Sequence, residues 1–550
     1  MDNMQNNPQT QQIPPQPSTI FNGEYVQPPY GIADLPTAQP IQKRSYTIFE
    51  SITAVICLVM GFLFIHYAFF YHGGIFGGAF WALFGILAAV FAKVKKLPVK
   101  GGHVAVFAVA ELFCFVPLFS ANRTINTLAA FFVFGLFCYL GISLSGAKLF
   151  GDHFVRDFFS SVFARPFASY GDCPKATFGL FGKLKAGKSV LYVLLGLLIA
   201  VPLTIVVAAL LINSDDMFAD FMGGFIDLLP EFSFNTISEM IWGIPVAFFI
   251  CGILFSAEKK LAPRAESAPN CRVIPLMAVC TAVTPICLFY LAYVLVQFRY
   301  LTAALGGSLP AEYSYSEFAR QGFFELCTVA AIDLFVILMM QAFTVRKEND
   351  RRPTALKVYT VVISVFTLLL IATAVSKMFL YIGEYGMTPL RIYTSWFMAL
   401  LAVLFIIIMI WQFVKLPLWK TVFTAFTIMF GVLCFSNTDA LIARYNVNAY
   451  QSGTLAEVDF SLLKTLGTPA IPAIADAYEA DPSYAASLLG RCDTQLSNNR
   501  TEDPEKYAAY FSIPRLKAEQ TLAENKDLFE GDYEADDDDF GYRSLSRYYR

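Results

Sequence analysis

The feature that most constrains the fold of this chain is a series of solid apolar runs, each close to 20 residues long. A helix rises ~1.5 Å per residue, so a run of this length crosses a hydrocarbon core of ~30 Å. Transmembrane strands would alternate apolar and polar residues, and these runs do not. We count eleven runs, at 48–71, 75–94, 103–120, 125–146, 190–212, 237–256, 273–298, 322–345, 357–382, 392–414 and 418–436. The predicted fold is all-α: a polytopic helical membrane bundle of about 11 transmembrane helices with a small helical C-terminal segment.

Composition and charge support a membrane protein and predict its orientation. The chain is 56% hydrophobic and 15% charged, whereas about a quarter of the residues of a soluble domain are charged. Lys and Arg fall mainly in every second segment between the runs, which by the positive-inside rule places the N-terminus in the cytoplasm. Eleven spans then place the C-terminus outside the plasma membrane, and one miscounted span would reverse that side.

The sequence divides into three parts. Residues 1–45 are rich in Gln, Asn and Pro, which predicts a disordered cytoplasmic tail. Residues 46–436 form the bundle and include 149–165, where Phe residues at helical spacing predict an amphipathic helix in the cytoplasmic interface, bound to the membrane or to a partner. Residues 437–550 alternate short apolar stretches with Pro and Gly and end in an acidic run, which indicates a small helical, extracytoplasmic segment.

One motif suggests nucleotide binding, but its context does not. Gly182–Ser189, "GKLKAGKS", matches the phosphate-binding pattern GxxxxGK[ST]. Such a loop needs a strand before it and a soluble helix after it, and here a transmembrane run follows. We interpret the motif as a Lys-rich collar at the headgroups and expect no nucleotide. With 4 His and no HExxH, paired CxxC or GxSxG motif, we also expect no metal, no cofactor and no recognisable catalytic residue.

Ionisable residues inside spans are the most informative ones, because an unpaired charge in lipid costs several kcal/mol. Glu111 and Asp333 lie near the middle of their spans, and Lys377 and His66 lie in two others. Two acids and one base at depth allow a buried network or a proton or cation path. The alternative is a set of structural polar contacts that fix helix packing.

Three polar segments carry a resemblance to a known family. "QFRYLTAALGGSLPAEYSYSEFARQGFFELCTVAAIDL", "SKMFLYIGEYGMTPLRIYTSWFM" and "NTDALIARYNVNAY" resemble segments of a bacterial family of multi-pass membrane proteins, catalogued as a domain of unknown function (the 4153- and 4173-type group). The resemblance covers about residues 140–480. It implies a bacterial cytoplasmic membrane protein and implies no activity, cofactor or catalytic residue.

The same three segments all lie on the predicted outer side. We therefore expect a charged cluster at the outer mouth of the bundle, formed by Glu317, Arg320, Glu325, Lys377, Glu384 and Arg391, with Asp439 and Arg444 beside them. Within it, Glu325 and Lys377 are equally far along the chain from Arg351, which predicts equal depth and an ion pair. The alternative is a group of surface ion pairs, each worth ~0–1 kcal/mol.

Three classes of function remain open. A transporter or channel for a small molecule or ion would use the outer cluster as its vestibule and Glu111 and Asp333 as its path. An envelope sensor or assembly protein would bind a protein partner through its outer loops and C-terminal segment. A membrane enzyme would act on a lipid-linked substrate. We favour transport, and we expect the lipid bilayer but no nucleic acid as a partner.

Overall fold

The computed structural model describes most of the chain. The described ranges are 45–70, 74–151, 153–183, 234–259, 272–305, 323–345, 352–502 and 504–529, with the single residues Thr204, Val207, Leu211, Ser214 and Phe218. The chain divides into two units, Met1–Tyr46 and Thr47–Arg550. Only two residues of the first unit are described, so the predicted disordered tail lies outside the described residues. All that follows concerns the second unit.

The described part of this unit is helical. Its first half contains α1 (Ile48–Leu63), α2 (Ile75–Val94), α3 (Gly101–Phe113), α4 (Val116–Phe119), α5 (Arg123–Leu144), α6 (Phe154–Phe159), α7 (Arg165–Ala168) and α8 (Asp172–Lys183). The next helices are α9 (Phe234–Glu258), α10 (Leu276–Leu305), α11 (Phe323–Phe343), α12 (Thr354–Tyr385), α13 (Pro389–Phe413) and α14 (Leu418–Phe435). The last are α15 (Thr438–Gln451), α16 (Phe460–Leu466), α17 (Ile471–Asp476), α18 (Pro482–Glu502), α19 (Pro504–Ala509) and α20 (Ile513–Glu524).

Ten of the described helices are long and apolar enough to cross a membrane. They coincide with ten of the eleven predicted runs, so the all-α polytopic bundle is confirmed and the chain is a multi-pass membrane protein. The remaining run, 190–212, lies outside the described residues except for three that are helical and exposed, Thr204, Val207 and Leu211.

Polar contacts between helix ends define two faces of the bundle. We call the end where α1 begins the near face and the opposite end the far face. At the near face, Lys95 after α2 pairs with Glu50 in the first turn of α1 at 2.7 Å and with Glu258 at the end of α9 at 3.2 Å. At the far face, His66 beyond α1 contacts Glu239, near the start of α9, at 2.7 Å. Helix α1 therefore runs from the near face to the far face, and α2 and α9 run from the far face to the near face.

The spanning helices form two groups. The first group contains α1, α2, α3, α5 and α9, and the second contains α10, α11, α12 and α13. In the first group, Gly61 and Gly243 let α1 and α9 approach so closely that a Cβ on Gly61 would lie 2.7 Å from the Cβ of Ala247. Between the groups lies α14, which packs against α13 and against α4 and α5. Its Phe430 stacks on Phe113 of α3, with ring centroids 5.6 Å apart.

The predicted amphipathic segment is helical, and some of its aromatic residues pack on the bundle while others are exposed. It runs from Phe154 through α6, a π-helical turn and α7. Phe154 packs on Tyr139 of α5 and on Trp419 of α14, at centroid distances of 5.2 and 5.4 Å. Phe159 and Phe163 are exposed. One face of the segment therefore attaches to the bundle at its near-face end, and the exposed rings are consistent with the predicted interfacial position.

Beyond α14, helices α15 to α20 form a compact segment that we call the far-face segment. Its core is built from Ile442, Val447, Leu463, Ile474 and Leu489, all nearly fully buried. Asp459 caps α16, since its carboxylate accepts a hydrogen bond from the backbone N–H of Leu462 at 2.9 Å. The predicted helical C-terminal region thus has a core of its own, and its acidic end lies outside the described residues.

Candidate functional site

The predicted outer cluster is described only in part. Glu317 and Arg320 lie outside the described residues. Glu325 is exposed at the start of α11, whereas Lys377 of α12 is buried. Glu325 exerts an electrostatic attraction on Lys377. The predicted pairing is therefore consistent with the structure, and its strength stays a prediction.

Contacts deeper in the bundle fix the register of α11 against α12. Gln341 donates to the hydroxyl of Thr360 at 3.0 Å, and Thr367 donates to Asp333 at 2.7 Å. From Asp333 to Glu325 the chain moves eight residues, ~12 Å, toward the far face, and from Thr367 to Lys377 it moves ten residues, ~15 Å, in the same direction. Glu325 and Lys377 therefore lie at similar depths, as the sequence predicted.

Glu384 and Arg391 have separate surroundings. Glu384 is exposed near the end of α12. Arg391, in the first turn of α13, donates to the carbonyl oxygens of Tyr385 and Gly386 and lies 4.1 Å above the ring of Tyr381. Arginine at this place satisfies carbonyl groups that the end of α12 leaves free. Its contacts within the described residues therefore stabilise the α12–α13 turn.

Asp333 is the most deeply buried acid of the second helix group. It is 1% exposed, and its two carboxylate oxygens accept hydrogen bonds from Tyr290 of α10 at 2.6 Å and Thr367 of α12 at 2.7 Å. Donors from two different helices meet this carboxylate, which offsets the cost of burying it. Asp333 therefore joins three helices at mid-depth.

Below Asp333, a line of polar side chains leads toward the near face. Thr360, Ser364 and Thr367 are fully buried on one face of α12. The hydroxyls of Thr360 and Ser364 donate to the carbonyl four residues earlier, at 2.8 and 2.7 Å. The hydroxyl of Thr367, which bonds to Asp333, also lies 2.8 Å from the carbonyl oxygen of Ile363. We call this line, with Gln341, Gln412 and Asp333, the polar stripe.

The near-face end of the polar stripe is formed by an arginine. The guanidinium of Arg352 lies 3.2 Å above the ring of Trp411 and donates to the side-chain oxygen of Gln412 at 3.4 Å. That oxygen also accepts from Gln341 at 3.4 Å. The side-chain oxygen of Gln341 is buried and has no hydrogen-bond partner within the described residues. An unpaired buried acceptor of this kind is a place where an ordered water would bind.

Above Asp333, the buried side chains of α11 and α12 are apolar up to the level of Lys377. Leu370, Ile371 and Ala374 of α12 and Ala330 of α11 are buried between the level of Asp333 and that of Lys377. This apolar layer separates Asp333 from the far-face pair. The polar stripe therefore connects Asp333 with the near face only.

Glu111 lies in the first helix group, away from the polar stripe. Its Oε1 is buried against Gly85 of α2, at a place that any Cβ on Gly85 would occupy. The same Cβ would lie 2.9 Å from the ring of Phe137 of α5. Glu111 and Asp333 thus belong to different helix groups, and no contact between them is present in the described ranges.

Sequence reasoning found the two acids but missed the residues that surround them. Tyr290, Gln341 and the three hydroxyls of α12 carry no charge at neutral pH, so a search for charged side chains passes over them. A usable signal was present, because residues 360, 364 and 367 follow the i, i+4, i+7 pattern of one helix face.

The far-face segment forms hydrogen bonds with residues at the far-face ends of both helix groups. Asp439 of α15 is 5% exposed and accepts hydrogen bonds from Asn122, in the turn before α5, at 3.0 and 2.8 Å. The same amide donates to the hydroxyl of Tyr393 of α13 at 3.0 Å. Burial raises the pKa of Asp439 to about 6, although the bond from Asn122 opposes this.

Two further contacts hold this segment. The side chain of Asn446 accepts from the backbone N–H of Met387 at 2.6 Å and donates to its carbonyl at 2.8 Å. On the other side, Nε2 of His66 lies 3.1 Å from Glu505 of α19, while Nδ1 faces Glu239. A doubly protonated ring bonds to both carboxylates, and a neutral ring to one. The far-face segment therefore connects the two helix groups.

Two residues of the phosphate-loop-like motif are described. Gly182 and Lys183 of the phosphate-loop-like motif form the end of α8, and the rest of the motif lies outside the described residues. Within the described ranges, no three His, Cys, Asp or Glu side chains are placed to hold a metal ion.

Comparison with known proteins identifies a family without an assigned activity. The model of the family described as "Domain of unknown function (DUF4153)" matches residues 104–477, which is more than half of the chain. Neither a curated protein nor a solved structure matches the chain.

Proposed function

The chain belongs to the DUF4153 family, and we propose that it carries protons across the cytoplasmic membrane of a bacterium through its second helix group. The observation that supports this most is the polar stripe, which leads from Arg352 at the near face to Asp333 at mid-depth. Buried ionisable and polar groups at this depth are costly and mark ion or proton paths in membrane proteins.

The spacing of the hydroxyls suits a proton path. Along α12, Thr360 and Ser364 are separated by a rise of ~6 Å, and Ser364 and Thr367 by ~4.5 Å. A water bonded to two hydroxyls spans ~5.5 Å. One water between neighbours would therefore complete a chain of hydrogen bonds from the unpaired oxygen of Gln341 to Asp333.

A proton fits this arrangement better than a hydrated ion. The side chains of the polar stripe are buried, and a proton path needs room only for single waters between the hydroxyls rather than for a hydrated ion. We therefore place a proton, rather than Na⁺ or K⁺, on Asp333.

The apolar layer above Asp333 implies alternating access. In the described conformation Asp333 is connected to the near face, which the Lys and Arg distribution predicts to be cytoplasmic. For transport, α11 and α12 have to separate around Leu370 and Ile371 so that the proton reaches Glu325 and Lys377. In transporters, alternating access usually results from movement of one helix bundle against another.

The experiment is proton flux into liposomes that contain the purified protein and a pH-sensitive dye, driven by a K⁺ diffusion potential. We expect Asp333→Asn to abolish flux and Ser364→Ala to reduce it. Ser376→Ala is the matched control, since Ser376 lies on the exposed side of the same helix. Flux that survives Asp333→Asn, or wild-type flux no greater than that of empty liposomes, would refute the proposal.

A sensor or assembly protein is the second candidate, and the far-face segment favours it. This segment has its own core and binds both helix groups, so a partner that binds it would act on both. A photoreactive residue in place of the exposed Tyr484 of α18 would capture such a partner in cells. A discrete cross-linked protein, together with no proton flux in liposomes, would favour this candidate over the first.

A further inference from the structure

We propose that Glu111 is a second proton-binding site, located in the first helix group and open to the bilayer rather than to the polar stripe. This inference concerns a different acid in a different helix group, and it does not depend on the proposed function.

The position of Glu111 is built by its neighbours. Ten residues separate it from Gly101 at the start of α3, a rise of ~15 Å that places it near the middle of a ~30 Å core. On α2, Gly85 leaves the space that Oε1 of Glu111 occupies. The ring of Phe137 closes the same space from α5. A side chain at this place would displace the carboxyl group from the position that it occupies.

The contacts of Glu111 differ from those of Asp333. Asp333 receives hydrogen bonds from two hydroxyls. Oε1 of Glu111 is buried and has no hydrogen-bond partner within the described residues, and no Lys, Arg or His of these ranges forms an ion pair with it. A residue whose role is to hold helices together would have a partner. Oε1 of Glu111 instead lies in the space that Gly85 leaves, and no hydrogen-bond donor of the described residues bonds to it.

An apolar space without a hydrogen-bond donor favours the protonated form of Glu111 over the ionised form. An ionised carboxylate without a partner in an apolar medium costs several kcal/mol, whereas the protonated group costs far less. Glu111 is only partly buried, and its neighbours Leu112 and Phe115 are about half exposed, at 55% and 53%. This side of α3 therefore faces lipid, and a reagent dissolved in the bilayer can reach Glu111 from that side.

Reaction with carbodiimides tests the site without any transport assay. A protonated carboxyl group transfers its proton to a carbodiimide nitrogen, its oxygen adds to the central carbon, and the O-acylisourea rearranges to a stable N-acylurea. We expect dicyclohexylcarbodiimide, which enters lipid, to modify Glu111 in the protein in liposomes, and a water-soluble carbodiimide not to. Peptide mass spectrometry locates the adduct, and Glu111→Gln should remove it while Glu384→Gln should not.

The pH dependence of the labelling identifies reversible protonation. Once the titration midpoint is passed, the rate of modification should fall about tenfold per pH unit. Gly85→Ala should change the rate at least severalfold, because its methyl group takes the place of Oε1. In infrared spectra, one C=O band of a protonated acid should be lost in Glu111→Gln, and that same band should be kept in Asp333→Asn. Absence of a lipid-phase adduct at Glu111, a rate independent of pH, or an infrared band unchanged in Glu111→Gln would overturn the proposal.

Discussion

Lowering the pH should strengthen the attachment of the far-face segment through Asp439. Burial raises the pKa of this carboxyl group from 3.8 to about 6. Above pH ~6 the folded state contains an ionised, buried carboxylate, which is unfavourable. As the pH falls below 6, the folded state takes up a proton before the unfolded chain does, so folding becomes more favourable until the pH passes below 3.8.

The size of this effect follows from the difference in pKa. About two pKa units correspond to about 3 kcal/mol in total. Of this, about 1.4 kcal/mol falls between pH 7.5 and pH 5, the range in which few other carboxyl groups titrate. In Asp439→Asn the side-chain oxygen still accepts a bond from Asn122, but no proton is taken up. The variant should therefore show a constant offset in stability and lack this increase.

Hydrogen exchange of the amides of α15 measures the free energy of local opening. The quantity to compare is the difference between wild type and Asp439→Asn at each pH, since the intrinsic exchange rates then cancel. Amides of α8 serve as the internal control, because Asp172 of this helix pairs with Lys259 at the near face, and they should show no difference between the proteins. Parallel pH profiles for α15 in the two proteins would refute the assigned role of Asp439.

Three more predictions concern other contacts. Glu325→Gln and Lys377→Met should be non-additive in thermal unfolding in detergent, since a single change strands one charge; additive effects would mean that the two residues do not interact. Asn446→Ala should lower the free energy of unfolding by about 2 to 4 kcal/mol, because two backbone groups lose their partner. The control Asn448→Ala, at an exposed position, should change it by less than ~0.5 kcal/mol. Equal effects of the two substitutions would contradict the role of Asn446 in holding the far-face segment. Ser452→Cys, on the exposed end of α15, should react with an impermeant maleimide from outside intact cells if the far face is extracytoplasmic, and reaction only after permeabilisation would reverse the predicted orientation.

Hydrophobicity was sufficient to predict the spanning helices because lipid requires every backbone group of a span to bond within its own helix. The ten described spans match their predicted runs within a few residues. The similar depth of Glu325 and Lys377 was also predictable, since rise per residue and a short connection determine the register of an antiparallel pair.

The grouping of the helices was not predictable in this way. Nothing in the sequence of α3 or α11 shows that Glu111 and Asp333 lie in different groups, because partners of lipid-embedded helices are selected by close packing rather than by hydrophobicity. The same holds for Arg391, which sequence reasoning placed in a charged cluster. In the structure it contacts backbone carbonyls and an aromatic ring. Such contacts depend on the path of the backbone at a turn.

The docking of the far-face segment also determines the order in which the molecule can be completed. Residues 438–529 leave the ribosome after all ten described spans, and with the far face outside they have to cross the membrane unfolded behind α14. Until then, Asn122 and the backbone of Met387 lack the partners that α15 supplies. A chain that stops after α14 would therefore be fully inserted and still unfinished, with polar groups open at its far face.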